Sequence, residues 1–66
     1  MLTSKRIRAG LYMVSNGHGN WTVEDVSWMP YVSHNHWRVM DLEKFHDGWV
    51  GDYHTKAEAL QAISQL

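Results

Sequence analysis

Short runs of aromatic and β-branched residues, separated by turn-forming residues, occupy much of the first fifty positions of the chain. Two of these runs, residues 11–14 and 21–26, flank a polar segment that contains an Asn-Gly pair at positions 16–17. Such a pair readily adopts the positive φ angles of a tight turn, and β-type runs on either side of it are typical of a hairpin. We therefore expect two antiparallel strands between residues 11 and 26.

Two more runs continue the pattern towards the C-terminus. Residues 37–42 alternate between two sets of side chains, as a strand with two different faces requires. An Asp-Gly pair at positions 47–48 then offers a turn into a further strand at residues 49–53. Together the runs predict an antiparallel sheet of three or four strands in meander order.

A short helix is predicted after the last strand. Thr55 and Glu58 have the spacing of a capping box, in which the threonine hydroxyl accepts from the Glu58 N–H and the carboxylate accepts from the Thr55 N–H. Apolar side chains then follow along one side, so the helix should lie across one face of the sheet and complete an α+β fold. The apolar helix residues are Ala59, Leu60, Ile63 and Leu66, and their expected strand partners are Leu11, Met13, Val23, Val39 and Val50.

Length and composition limit the classes of protein to consider. A chain of 66 residues without cysteine forms one small domain that buries about 60% of its unfolded surface and has no disulfide or thiolate metal site. Five histidines invite a metal interpretation, but the pair at positions 34 and 36 supplies two ligands and no spacing fixes a third. We find no catalytic motif or phosphate-binding loop in the sequence, and we expect neither an enzyme nor a cofactor.

Charge is unevenly distributed, although its sum is only −1. Lys5, Arg6 and Arg8 lie close together, whereas the acidic residues are spread over the rest of the chain. We interpret residues 1–8 as a solvated basic segment, or as a flexible basic arm, of a single domain that spans residues 1–66. No apolar run approaches the roughly 20 residues of a membrane span, and the lack of cysteine suits a cytoplasmic protein.

The chain has more aromatic residues than one short helix can cover. Residues 28–32 are apolar and contain a proline, so they cannot lie in the middle of a sheet. They must fold back over the core or face a partner, because contiguous exposed apolar surface is uncommon in monomers. Cross-strand pairing explains the strand tryptophans equally well. Our main hypothesis is a small module that binds another protein or a second copy of itself through Trp28, Met29, Tyr31 and Trp37.

The junction between the last strand and the helix resembles that of the ethylene-response-factor DNA-binding domains of plants and of similar domains in phage integrases. The resemblance rests on Trp49, Gly51, Tyr53, Thr55, Glu58 and Ala59. It implies three antiparallel strands with one helix, and a sheet that reads the DNA major groove through arginine side chains.

DNA binding is therefore the alternative function. Among the predicted strands, Arg38 is the one strongly basic side chain, and acidic side chains at positions 24, 25 and 41 oppose it. The remaining cations come from the basic N-terminal segment. The candidate nucleic-acid-binding residues are Lys5, Arg6, Arg8 and Arg38.

The chain also resembles the short, cysteine-free, tryptophan-rich proteins of bacteriophages, particularly those of actinobacteria, many of which end in a Thr-x-x-Glu-Ala helix like residues 55–59. This resemblance implies a viral protein that acts in the host cytoplasm. It also implies capture of a host protein, or contact with nucleic acid, as its role.

Overall fold

One antiparallel sheet and one helix make up the fold. The computed structural model describes residues 2–30, 34–44 and 48–66. Within these ranges the elements are β1 (Thr3–Arg8), β2 (Leu11–Ser15), β3 (Asn20–Asp25), β4 (Trp37–Asp41), β5 (Trp49–Tyr53) and α1 (Lys56–Ser64). The strands lie in the order β1-β2-β3-β4-β5, so each one pairs with its neighbour in sequence.

This architecture confirms the α+β meander with a C-terminal helix, but the prediction of three or four strands is wrong. The additional strand is β1, which contains Lys5, Arg6 and Arg8 and pairs with β2. All six of its residues are exposed. A strand that buries no side chain shows no alternation of apolar and polar residues, so its sequence resembles a solvated segment.

The β2–β3 hairpin has the turn chemistry that its sequence predicts. Gly17 has a φ of 91°, which is the left-handed region where a residue with a Cβ is strained. The Asn16 side-chain oxygen accepts from the backbone N–H groups of His18 and Gly19 at 2.8 and 3.1 Å. The turn sets the hairpin register, in which Val14 lies opposite Trp21.

That register decides which side chains face the helix. Val14, Val23 and Val39 are fully buried against Ala59 and Ile63 of α1, and Trp21, with 6% of its surface exposed, completes the core. Two of the expected partners of the helix are wrong: Leu11 and Met13 lie on the other face, because the residues between and after them, Tyr12 and Val14, face the helix. Of the other expected partners, Val23 and Val39 are in the core, and Val50 packs against it.

Helix α1 begins where the capping box predicts. The Thr55 hydroxyl accepts from the Glu58 N–H at 3.1 Å, and the Glu58 carboxylate accepts from the His54 N–H at 3.3 Å, one residue earlier than expected. The helix packs over β3, β4 and β5. In the described ranges, no helix is long and apolar enough to cross a membrane.

We expect Thr55→Ala to lower the free energy of unfolding by about 1 kcal/mol, because the Glu58 N–H loses its acceptor at the helix terminus. Thr55→Ser keeps the hydroxyl and should retain most of the stability. Urea unfolding followed by far-UV circular dichroism measures both changes. Equal stability of the two variants would show that the cap contributes nothing.

Candidate protein-interaction surface

The sheet face opposite α1 carries Trp49, the most exposed large hydrophobic side chain of the described strands. We call this face the open face. Strand pairing places Met13, Thr22, Met40 and Trp49 side by side across four strands. Met13 is 40% exposed and Trp49 is 57% exposed. The open face therefore presents an apolar row that the helix cannot cover.

A second row on the open face is charged and internally neutralised. Arg8 forms an ion pair with Glu24 at 2.8 Å, and Arg38 forms one with Asp52 at 3.2 Å. Glu24 and Arg38 are also cross-strand neighbours. The row thus alternates in sign across the sheet, which stabilises cross-strand pairing and leaves little unbalanced charge beside the apolar row.

Asp52 joins the two rows through its hydrogen bonds. Its Oδ1 accepts from Arg38 Nε and from the indole N–H of Trp49, each at 3.2 Å. The aspartate therefore orients the Trp49 ring while most of that ring stays exposed. An aromatic side chain that is held in place before a partner arrives loses less entropy on binding.

The segment after β3 is also tied to this face. The Met29 sulfur lies 3.9 Å from Nη1 of Arg38, and the Met29 N–H donates to the Val26 carbonyl at 3.0 Å. Trp28, the preceding residue, is 70% exposed. The turn at residues 26–29 thus places one apolar side chain against the charged row and leaves another in solvent.

Three of the four residues predicted to bind a partner are described by the structure, and these three do not form one surface. Trp28 and Met29 lie on this turn, whereas Trp37 pairs with Asp25 and Tyr53 on the helix side and packs partly against the core. Tyr31 lies outside the described residues.

Sequence reasoning missed Met13, Met40 and Trp49 as surface residues. Alternation with the buried Val39 places Met40 on the open face. Trp49 lies on the same face because the register shifts between Val39 and Met40, which brings Trp49 opposite Met40. An irregularity of this kind leaves no clear pattern in the sequence.

The residues predicted for nucleic-acid binding are divided between the two faces. Lys5, Arg8 and Arg38 lie on the open face, whereas Arg6 pairs with Tyr12 and lies on the helix side. Arg8 and Arg38 are each already paired with a carboxylate. This reduces the positive potential that a DNA backbone would meet.

Three histidines lie near the start of β4 and the end of β5. The Nδ1 atom of His36 is 2.9 Å from Asp25 Oδ1. That of His54 is 3.0 Å from the His34 carbonyl oxygen, and the His34 and His54 rings meet edge to face. Among the described residues, no group of three or more histidine or acidic side chains could hold a metal ion.

The comparisons with known proteins leave the geometry as the basis for assigning a function. No family model, no curated protein and no solved structure matches the chain.

Asp25 anchors the turn that carries Trp28 and Met29. Its Oδ1 accepts from the Ser27 N–H at 3.0 Å and lies 2.9 Å from the His36 ring. The Ser27 N–H lowers the pKa of this carboxyl below its ordinary value, His36 contributes in the same direction, and burial opposes them. Because the folded state favours the ionised form, Asp25 stabilises the fold above a pH of about 4 and loses this contribution as the pH falls through its lowered pKa.

We expect Asp25→Asn to reduce the loss of stability that occurs as the pH falls from about 5 to 3. At neutral pH it should cost less than about 1 kcal/mol, because the amide oxygen can still accept from Ser27 and the group is partly solvated. Urea unfolding at several pH values measures this slope. A slope identical to that of the unmodified protein would contradict the role of Asp25.

Proposed function

We propose that this protein is a small non-enzymatic binding module that recognises another protein through the open face. The observation that supports this proposal best is Trp49, a large aromatic side chain that is mostly exposed and is nevertheless oriented by Asp52. Tryptophan is among the residues most enriched at the energetic centres of protein interfaces. The methionines of the apolar row adapt their shape to a partner more easily than branched side chains do.

The surroundings of Trp49 also fit a protein partner. A protein interface typically has an apolar centre with a polar rim, and here the apolar row borders the alternating charges of Arg8, Glu24, Arg38 and Asp52. These four side chains can form hydrogen bonds with a partner, and their charges sum to zero. The resemblance to bacteriophage proteins supports a host protein in the cytoplasm as the partner.

DNA binding is the second candidate, because Lys5, Arg8 and Arg38 share the open face. Two of these three cations are neutralised within the protein. This arrangement favours the protein-binding proposal, and the salt dependence of binding separates the two. Binding to DNA would weaken steeply as salt rises, whereas an apolar contact would change little.

We expect Trp49→Ala to abolish partner capture while the protein stays folded. Truncation of a tryptophan at an interface centre costs about 2 kcal/mol or more, which weakens binding about 30-fold. The matched control is Leu66→Ala, since Leu66 is 61% exposed beyond the end of α1. The measurement is affinity capture from host lysate, with and without nuclease treatment, followed by quantitative mass spectrometry, after circular dichroism has confirmed that both variants are folded.

Each outcome of this experiment discriminates between functions. A protein retained by the unmodified chain and by Leu66→Ala, but lost with Trp49→Ala, supports the proposal. Retention that disappears after nuclease treatment favours DNA binding. Equal retention by both variants would contradict a role for the open face. Sedimentation velocity of the purified protein tests the remaining option, since a dimer that dissociates on Trp49→Ala would identify a second copy as the partner.

Trp28→Ala tests whether the interface extends onto the turn. Because Trp28 is 70% exposed, we expect its removal to lower the melting temperature by no more than a few degrees. Weaker capture with normal stability would place Trp28 within the interface. A large fall in melting temperature with normal capture would show that the residue supports the fold instead.

A further inference from the structure

Positive charge is concentrated on the edge strand β1. Three of the six basic residues, Lys5, Arg6 and Arg8, lie on this strand, which contains no acidic residue. The other three share the rest of the chain with all seven acidic residues. A local excess of positive charge on a protein of negative net charge attracts an anionic partner to that position.

Two of these cations are available to a partner. Arg8 is held by Glu24, whereas neither Lys5 nor Arg6 forms an ion pair within the described residues. They lie on opposite faces of the strand, since Lys5 pairs with Met13 and Arg6 with Tyr12. A ligand that meets both cations must therefore carry negative groups on both faces of the sheet.

The backbone of β1 offers a second means of recognition. The strand is the first in the sheet order and pairs on one side, with β2. Its other edge carries backbone N–H and C=O groups that an added strand can bind. The register shift lies between Arg6 and Arg8, so the regular part of this edge spans residues 3–6.

We propose that β1 binds an extended acidic peptide segment as a sixth strand. Successive side chains of a strand point to opposite faces, so neighbouring acidic residues in such a segment would meet Lys5 on one face and Arg6 on the other. A second copy of the chain fits this edge poorly, because antiparallel pairing of two β1 strands would bring their basic side chains together. Nucleic acid could neutralise the cations but could not pair with the backbone groups as a strand does.

This proposal goes beyond the open-face function and can fail separately from it. The probe is a synthetic peptide, acetyl-Thr-Val-Asp-Glu-Val-Thr-amide, titrated into isotope-labelled protein and followed by two-dimensional NMR. We expect chemical-shift changes centred on the amides of β1, and slower hydrogen exchange of the amides on its free edge. Trp49→Ala should bind the peptide normally.

Arg6→Glu tests the contribution of charge. The substitution replaces an attractive cross-strand pair with a repulsive one, and we expect the Kd for the peptide to rise about tenfold. Lys44→Glu is the matched control, because it makes the same change in charge at an exposed position after β4. Equal weakening by the two substitutions would overturn the proposal, since it would reduce the effect to the net charge of the protein.

A peptide with two successive N-methylated residues, Asp and Glu, tests the contribution of the backbone. Successive N–H groups point to opposite edges of a strand, so this peptide keeps both charges and can pair by neither edge. We expect its binding to be lost. If it binds as well as the unmodified peptide, or if a single-stranded oligonucleotide binds more tightly and displaces the peptide, β1 is a site for anions in general and the proposal is wrong.

Discussion

The single core that Ala59 and Ile63 of the helix form with the buried valines of β2, β3 and β4 is the interaction on which the rest of the structure depends. Ile63 is fully buried, and truncation of such a side chain to alanine typically costs about 2–5 kcal/mol. The total stability of small domains is about 5–15 kcal/mol. The sequence contains no cysteine, so no disulfide supports the fold, and the packing of the helix on the sheet is a large share of its stability.

Because one helix covers one face, the fold leaves the other face to be stabilised in a different way. On the open face this role falls to the ion pairs Arg8–Glu24 and Arg38–Asp52. Each pair is partly exposed and contributes little by itself. Their larger consequence is structural, since Asp52 also orients Trp49 and Arg38 lies against Met29. The charged side chains that join the strands therefore also hold Trp49 and Met29, the apolar side chains beside them, in place.

The basic side chains of the edge strand β1 also have two roles. A strand with one free edge invites pairing with any other strand, and basic side chains are a common protection against pairing between identical copies. On β1 that protection is selective, because positive charge repels a second β1 and attracts an acidic segment. If β1 binds an acidic segment as we propose, the side chains that oppose pairing between two copies also define the chemistry of the ligand.

The sequence predicts most clearly those features whose cause is local. The Asn16-Gly17 turn and the Thr55–Glu58 cap depend on residues within one turn of the chain, and both are present. Strand β1 could not be predicted in this way, since its identity as a strand comes from pairing with β2 and not from burial of its own side chains. Likewise, Leu11 and Met13 are as apolar as the residues of the core, and the hairpin register alone excludes them from it.

The candidate site likewise has some features that the sequence predicts and others that depend on tertiary structure. By itself the sequence determined that aromatic residues exceed what one helix can bury, because that follows from counting and from the length of the helix. It also predicted that residues 28–32 lie outside the middle of the sheet, since Pro30 excludes a central strand there. Tertiary structure alone decided that Trp37 faces the helix and that Trp49 lies beside Met40 with Asp52 holding its indole. The physical reason is that strand pairing brings together residues distant in sequence, and a single shift in register between β4 and β5 changes which of them share a face.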